Sequence, residues 1–361
     1  MNALKEKLRS ANARVYPSRV FHSPKWIVLG VNNVCNLHCK MCDVGTKNLE
    51  SNFAQNLVGT QPINMPLDLI KKVIDQTAQY FPSSKLAYAF TEPLVYPDLV
   101  ESIQYASSKG LYTTITTNAL TLKQKAEGLA KAGLGHLYVS LDGPQDVHNE
   151  IRGHKKSFQK ALEGIKEIKK YENAPTIDVI CAITQWNIGC LSEFLEELKG
   201  LDICEVSFMH TQFADKGMAD KHNEKWGHLY PATSSNLEEI DLTKMNLPAL
   251  LEEVMEIKNR KYDFEVTFSP EIDTSEGLNE FYLQTDKLLG KYCNAIFSSI
   301  MIKSDGSVIP AHGRCFNLDV GNLYQSNLKE VWNSSTFSQF RKNLMKAGGL
   351  FDGCSRCCSA F

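Results

Sequence analysis

Long apolar runs are missing from this sequence of 361 residues, and none approaches the roughly 18 residues that a membrane-spanning helix needs. The first 21 residues, MNALKEKLRSANARVYPSRVF, are basic without the apolar segment of a signal peptide, so we expect a short surface helix there. An excess of one charge is also missing, since 39 Lys and Arg residues oppose 41 Asp and Glu residues. These absences predict a cytoplasmic protein that binds neither nucleic acid nor a membrane.

Cysteine, by contrast, is abundant. The sequence has eleven cysteines, and most of them are bunched towards its two ends. A disulfide framework is typical of short exported chains, whereas this chain is long and shows no export signal. Clustered cysteines in a reducing compartment indicate metal ligands.

Short apolar strands alternate with amphipathic helices between about residues 25 and 210. Six such alternations predict an α/β fold of parallel βα units, either a barrel or a doubly wound sheet. Gly110 stands where a helix C-cap glycine belongs. The predicted strands are Trp26–Val31, Leu86–Phe90, Tyr112–Thr117, His136–Leu141, Ile177–Thr184 and Glu205–His210. The predicted helices are Pro66–Tyr80, Pro97–Lys109, Leu122–Ala132, Phe158–Tyr171 and Leu191–Lys199.

The pattern changes after His210. Residues 211–245 are polar and predict loop and irregular structure. A helix, Leu247–Asn259, and a strand, Phe264–Phe268, follow, and the remainder is rich in cysteine and glycine. We therefore divide the chain into an N-terminal extension (1–24), a barrel (25–230), a connector (231–290) and a small C-terminal α+β module (291–361).

The strand that ends at Val31 leads into the segment NNVCNLHCKMCDVG. Cys35, Cys39 and Cys42 have the spacing C-x3-C-x2-C, so their thiolates can bind three irons of a four-iron cluster and leave one iron open for a substrate or cofactor. The alternative is a zinc knuckle completed by His38, although zinc sites usually pair CxxC with a second, more distant pair.

This cysteine loop resembles the signature of the radical S-adenosylmethionine (SAM) superfamily. The resemblance implies a partial (β/α)6 barrel in which SAM chelates the open iron of a [4Fe–4S] cluster and is cleaved to a 5′-deoxyadenosyl radical. That radical takes a hydrogen atom from the substrate. Met41 stands where the family often has an aromatic residue, and by the resemblance it lies at the adenine of SAM.

Further segments resemble the SAM site of this family. In AYAFTEPL, Phe90 and Thr91 replace two family glycines, and the resemblance makes Thr91 and Glu92 part of the SAM site, with Glu92 accepting from the SAM ammonium. The third strand ends in TTNA, which places Thr117 and Asn118 at the barrel mouth.

The segment SLDGPQDVHNEIRG resembles another family motif, in which Ser140 and Arg152 hold the carboxylate or ribose of SAM. Within it we interpret Asp142 and His148 as structural residues. Asn187, after the fifth strand, matches a family position near the ribose. His210 ends the sixth strand. It is either a polar residue whose hydrogen bonds are made within the fold or a catalytic residue that contacts the substrate.

The C-terminal segment resembles the SPASM and twitch modules that hold auxiliary iron–sulfur clusters. IMIKSDGSVIP predicts a hairpin with an Asp305-Gly306 turn, and GNLYQSNLKEVW leads into a helix. Cys293, Cys315, Cys354 and Cys357 are the economical ligand set for a second [4Fe–4S] cluster, and Cys358 or His312 could replace one of them. A structural zinc ribbon is the alternative. Cys181, Cys190 and Cys204 are interpreted as small buried apolar residues.

Three functions are compatible with these segments. The first is oxidation of an alcohol of a sugar or cyclitol-like metabolite, with the auxiliary cluster as electron acceptor, as in the twitch-type dehydrogenases. The second is modification of a ribosomal peptide or protein, or radical epimerisation. The third is a binding module without enzyme activity, against which the open-iron loop argues. The resemblance also implies an external one-electron donor such as flavodoxin or ferredoxin.

Overall fold

The computed structural model describes residue 9 and residues 11–59 and 61–361. Its strands are β1 (Trp26–Leu29), β2 (Lys85–Tyr88), β3 (Thr113–Thr117), β4 (His136–Ser140), β5 (Thr176–Ile183), β6 (Glu205–His210), β7 (Glu265–Ser269), β8 (Ser299–Ile302), β9 (Ser307–Pro310) and β10 (Gly321–Asn322). The α-helices are α1 (Asp43–Thr46), α2 (Asn52–Leu57), α3 (Leu67–Tyr80), α4 (Leu99–Ser108), α5 (Leu122–Lys131), α6 (Gln145–Arg152), α7 (Ser157–Ile168), α8 (Leu191–Glu197), α9 (Lys216–Trp226), α10 (Leu247–Asn259), α11 (Ser275–Tyr282), α12 (Leu328–Trp332) and α13 (Ser335–Lys346).

All ten strands belong to one sheet, in the order β10-β9-β8-β1-β2-β3-β4-β5-β6-β7. Strands β1 to β6 each pair in parallel with the next strand in the chain, and β8 pairs in parallel with β1. Strands β9 and β10 add an antiparallel edge. Within the described residues no strand joins β7 to the opposite edge, so the sheet is a partial barrel.

The apolar pattern of the sequence explains how these elements pack. Along β5 every second residue from Ile177 to Ile183 is fully buried, as the two-residue period of a strand requires. On α3 the buried residues Leu69, Ile70, Val73 and Ile74 form one stripe with helical spacing. The helices therefore cover the parallel sheet, and the carboxyl ends of its strands meet at one edge.

The six predicted barrel strands are confirmed to within two residues, and Gly110 has the left-handed φ of +74° expected at its position. The predicted hairpin is formed by β8 and β9. The expected N-terminal helix is present at residues 11–15, while residues 1–8 and 10 lie outside the described part of the chain.

Two predictions were wrong. Residues 211–245 are not all irregular, since they contain α9, whose N-terminus is capped by the Asp215 side chain accepting from Met218 N. The helix buries only Met218, Ala219 and His222, so its mostly polar sequence hides it. Among the cysteines, Cys181 is buried as predicted, but Cys190 is half-buried and Cys204 is exposed.

The described helices include none that is both long enough and apolar enough to cross a membrane.

Candidate functional site

The N-terminal cysteine loop lies between β1 and α1, at the carboxyl edge of the parallel strands. Cys39 is buried, and Cys35 and Cys42 are half-buried. Their three sulfur atoms do not all lie within 4.8 Å of one another, which is wider than the ligand shell of a single zinc ion, and His38 is exposed. The geometry and donor chemistry therefore fit a polynuclear iron–sulfur cluster better than a zinc knuckle.

Burial dominates the electrostatics of this loop. It raises the pKa of the Cys35 thiol and raises the pKa of Cys39 to about 12. The positive charge of Arg152 opposes the rise in the Cys39 pKa, because its Nη1 lies 3.7 Å from Cys39 Sγ. Its Nε donates to Asp142 Oδ2 at 2.5 Å. Because burial disfavours a charged thiolate, thiolates in this loop require the positive charge of bound metal. Arg152 supplies part of the positive charge that offsets their burial.

Glu92 lies at the end of β2 with only 1% of its surface exposed. Its Oε1 accepts from Thr117 Oγ1 (2.6 Å) and Leu94 N (2.9 Å), and its Oε2 accepts from Asn118 N (2.8 Å). Desolvation raises the pKa of this carboxyl group, and these hydrogen bonds oppose the rise. Since a carboxylate offers about four acceptor positions, one remains for an ammonium group.

Hydrogen bonds also join the cysteine loop to the predicted SAM residues. Thr91 Oγ1 donates to Asn32 O (2.9 Å), and Asn118 Nδ2 donates to Asn36 Oδ1 (2.8 Å). The structure thus brings Thr91, Glu92, Thr117 and Asn118 together beside the loop, and their contacts with SAM stay predictions.

The remaining predicted SAM residues differ in how free their side chains are. Ser140 is half-buried at the end of β4, and its hydroxyl makes no hydrogen bond within the described chain; Met41 is half-buried in the cysteine loop. Asn187 is fully buried, donating to Ala182 O (2.7 Å) and Asp142 O (3.0 Å) and accepting from Thr184 N (2.7 Å). Its amide is occupied by the fold, and the predicted ribose contact is untested.

Asp142 and His148 have structural partners, as interpreted from the sequence. Asp142 Oδ1 accepts from Ala182 N (2.9 Å), and its carboxylate also pairs with Arg152. His148 Nδ1 accepts from Asp142 N at 3.0 Å, and burial lowers the pKa of this imidazole. The two residues hold Arg152 at the cysteine loop.

His210 is buried at the end of β6. Its Nδ1 lies 2.8 Å from the Tyr282 hydroxyl, and Nε2 has no hydrogen-bond partner among the described residues. Burial lowers the pKa of His210 to about 4, so the ring is neutral at pH 7. A neutral imidazole with one free nitrogen can make one further hydrogen bond, and the catalytic role stays a prediction.

The C-terminal cysteines surround a second site. Cys293, Cys315, Cys354 and Cys357 line one cavity of about 70 Å³, and their sulfur atoms are not close enough together for a single ion. This arrangement fits a cluster better than a zinc ribbon. Cys358 lies outside that lining, but its sulfur and that of Cys357 are 3.9 Å and 4.0 Å from His312 Nε2. Cys358 and His312 therefore remain candidates to replace a ligand.

Phe90 joins the two sites. By the sequence resemblance it stands where family members have glycine, and its φ of +87° is one that a residue with a Cβ rarely adopts. Its ring stacks on His312 at a centroid distance of 5.8 Å and meets Phe53 edge-on at 6.4 Å. These contacts compensate the backbone strain and bind the barrel edge to the module.

Asp43, which directly follows the cysteine motif, was missed by sequence reasoning. This fully buried carboxylate accepts from Asn236 N (2.7 Å) and Ser235 Oγ (2.6 Å), while Asn236 Oδ1 accepts from Asp43 N (3.2 Å). The contacts fix the cysteine loop to residues that are distant in sequence. The signal available in the sequence was an acidic residue beside a predicted ligand cysteine, but the hydrogen-bond partners of Asp43 are almost 200 positions away in sequence.

Comparison with known families agrees with both sites. Residues 30–198 match the family model of the Radical SAM superfamily, so this part of the chain is a radical SAM domain. Residues 293–358 match SPASM, an iron-sulfur cluster-binding domain, so the chain combines a radical SAM domain with a C-terminal SPASM module. Its cofactors are accordingly a SAM-binding [4Fe–4S] cluster, an auxiliary cluster and SAM.

Three curated relatives illustrate the range of this family. The chain is 24% identical to the PqqA peptide cyclase of Bradyrhizobium diazoefficiens, over 94% of this chain and 80% of the relative. It is 23% identical to the tungsten-containing aldehyde ferredoxin oxidoreductase cofactor-modifying protein of Pyrococcus furiosus, over 92% and 87%. Fe-coproporphyrin III synthase of Methanosarcina barkeri is 28% identical, but the match spans only 53% of this chain and 45% of that protein.

A solved structure shares the fold. SuiB of Streptococcus suis, bound to its precursor peptide SuiA, aligns with a TM-score of 0.62 and 17% identity, over 97% of this chain and 75% of SuiB. At that identity the likeness shows the fold alone.

Proposed function

We propose that this protein is a radical SAM enzyme that modifies a peptide or protein. The observation that carries the proposal is the position of the auxiliary-cysteine cavity. It shares Ala214, Arg314 and Cys357 with a second cavity that reaches Gln212 and Phe213, just after β6. A substrate at this edge of the barrel would contact both domains, as an extended peptide can.

The named relatives favour a peptide over a sugar. Of the two that align with most of the chain, one is by its name a peptide cyclase and the other a cofactor-modifying protein. Oxidation of a sugar or cyclitol, our first expectation from the sequence, has no such support.

The site geometry supports the following roles for individual residues. Cys35, Cys39 and Cys42 would hold the SAM-binding cluster, with Glu92 and Ser140 available to SAM. Cys293, Cys315, Cys354 and Cys357 would hold the auxiliary cluster. When bound, SAM and its cluster supply the hydrogen-abstracting radical. Arg152 would balance the thiolate charge, and His210, which is neutral at pH 7, offers Nε2 for a hydrogen bond with the substrate. We further propose a cytoplasmic location and a flavodoxin or ferredoxin as electron donor.

Deuterium transfer tests the substrate class. The reconstituted protein would be incubated with SAM, reductant and either deuterated peptides encoded near its gene or deuterated sugars and cyclitols. We expect deuterium in 5′-deoxyadenosine only with a peptide, and none with the variant in which Cys35, Cys39 and Cys42 are all alanine. Transfer from a sugar or cyclitol alone would overturn the proposal in favour of alcohol oxidation.

A further inference from the structure

Arg314 stands at the junction of the two cavities described above. It lines both the cavity of the auxiliary cysteines and the one that reaches Gln212. Its guanidinium lies over the Phe53 ring, 4.3 Å from the ring centroid. This stacking restrains the side chain while leaving the N–H groups at the edge of the guanidinium plane free to donate.

The guanidinium of Arg314 makes no hydrogen bond or ion pair with the residues that the structure describes. Arg356, which lines the same second cavity, provides the contrast. Its guanidinium donates to Phe281 O (2.6 Å), Glu280 O (2.8 Å) and other backbone carbonyls. Arg356 is thus committed to the fold, whereas Arg314 keeps its donors for another group.

The residues around Arg314 favour the binding of a ligand that carries both an anionic group and a nearby N–H donor. The described residues that line the two cavities include no Asp or Glu, so the positive charge has no carboxylate near it there. Gln212 lines the second cavity, and its Oε1 is buried and accepts no hydrogen bond within the described chain. A buried acceptor without a donor is costly, and a backbone N–H of a bound peptide would satisfy it.

We propose that Arg314 and Gln212 form a recognition site for a carboxylate-bearing peptide, in which Arg314 binds the carboxylate and Gln212 accepts from a peptide N–H. This inference deepens the proposed function and rests on it. A guanidinium fits a carboxylate with two parallel N–H···O bonds, which gives orientation as well as affinity. The substrate class is therefore an acidic peptide segment, held between the end of β6 and the auxiliary-cysteine cavity.

Equilibrium dialysis tests this site without turnover. The probes are three acetylated tripeptides: Gly-Glu-Gly amide, Gly-Gly-Gly with a free carboxyl terminus, and the neutral Gly-Gln-Gly amide. We expect the reconstituted full-length protein to bind one of the acidic probes better than the neutral probe. Tighter binding of Gly-Glu-Gly amide would show that the site recognises a side-chain carboxylate. Tighter binding of Gly-Gly-Gly with a free carboxyl terminus would show that it recognises the end of a chain.

Variants then locate the binding. We expect Arg314→Gln to weaken binding of the acidic probe about tenfold or more, and Arg314→Lys to recover part of it, because lysine keeps the charge but lacks the planar fork. Arg260→Gln is the matched control, since Arg260 is a surface residue paired with Glu256. Circular dichroism confirms that each variant is folded.

Two results would overturn the proposal. One is equal binding of the acidic and neutral probes. The other is an Arg314→Gln variant that binds the acidic probe normally but has a shifted reduction potential of the auxiliary cluster. That result would mean that the charge of Arg314 acts on the cluster and not on a peptide. Because the assay measures binding alone, a failure of peptide modification would be distinguishable from a failure of this site.

Discussion

At the scale of single residues, Glu92 shows how the fold prepares a charged group for a ligand. A buried carboxylate is costly unless donors surround it, and Thr117, Asn118 and Leu94 supply three. All three donors come from the ends of β2 and β3 or the turn beyond. Glu92 therefore holds neighbouring strand ends together in addition to its predicted contact with SAM.

Replacing Glu92 with glutamine should affect both roles. The amide –NH2 cannot accept, so at least one of the three hydrogen bonds is lost. We expect the free energy of unfolding to fall by about 1–3 kcal/mol and SAM binding to weaken, while both clusters remain. Urea unfolding, SAM titration and iron analysis measure these effects. Glu101→Gln, at an exposed residue paired with Lys71, serves as the control. Unchanged SAM affinity would remove Glu92 from the SAM site.

His210 should make the protein sensitive to acid. In the unfolded chain its pKa is about 6.5, and burial lowers it to about 4 in the folded chain. Between these values the unfolded state binds more protons, so stability falls as the pH falls from 6.5 to 4, by up to about 3 kcal/mol.

His210→Asn should therefore flatten the dependence of the unfolding free energy on pH in that window, even if it lowers stability overall. Urea unfolding at several pH values measures the slope. The exposed His228 provides a control, since His228→Asn should keep the parental slope. A parental slope in His210→Asn would mean that other groups, such as His148, account for the acid sensitivity.

At the scale of elements, the cysteine loop depends on a segment from the far side of the barrel. Asp43 begins α1 and is bound by Ser235 and Asn236. The segment with these two residues follows α9, and Ser235 also lines both cavities near the auxiliary cysteines. Asp43 thus links the cysteine loop, through buried hydrogen bonds, to a segment that lines the auxiliary-cysteine cavity.

Asp43→Ala should loosen this coupling. Since it leaves Asn236 N and Ser235 Oγ without their acceptor in a buried place, we expect a loss of about 2–4 kcal/mol of unfolding free energy. We also expect a broadened electron paramagnetic resonance spectrum of the reduced SAM-binding cluster, with unchanged iron content. Asp202→Ala is the control, because that carboxylate is 81% exposed. A sharp, parental spectrum would show that the loop is positioned without Asp43.

At the scale of the whole molecule, the barrel and the module are continuous. Strand β8 of the module pairs in parallel with β1, so one hydrogen-bonded sheet crosses from barrel to module. Asn56 of α2 adds donors to Gly313 O (3.0 Å) and Cys315 O (2.7 Å). The domain boundary at residue 291 stays a prediction. Because the two parts share one sheet, a substitution that disturbs the module can also disturb the adjoining edge of the barrel.

Removing the auxiliary ligands tests that dependence. We expect Cys354→Ala combined with Cys357→Ala to lose about half of the iron, to retain SAM cleavage and to form little product. Circular dichroism checks first that the module is folded. Cys204→Ala is the control, because Cys204 is an exposed cysteine outside both sites. Parental product formation by the folded double variant would exclude a role for the auxiliary cluster.

The sequence by itself determined the elements whose signals are local. Strands such as β5 and helices such as α3 follow from apolar periodicity, and the C-x3-C-x2-C loop follows from ligand spacing within a few residues. The cysteine-rich end was equally visible. Cysteine spacing indicated metal clusters, because the chemistry of thiolates depends on residue type and close spacing, and the resemblance of these segments to family motifs implied SAM.

Only the tertiary structure decided which distant residues meet. Helix α9 is mostly polar and gains its stability from a cap and from packing, so its composition indicated a loop. The Asp43 contacts, the stacking of Phe90 on His312 and the stacking of Arg314 on Phe53 join positions far apart in sequence. Such contacts depend on how strands and loops are arranged in space, and no local pattern of residues encodes that arrangement.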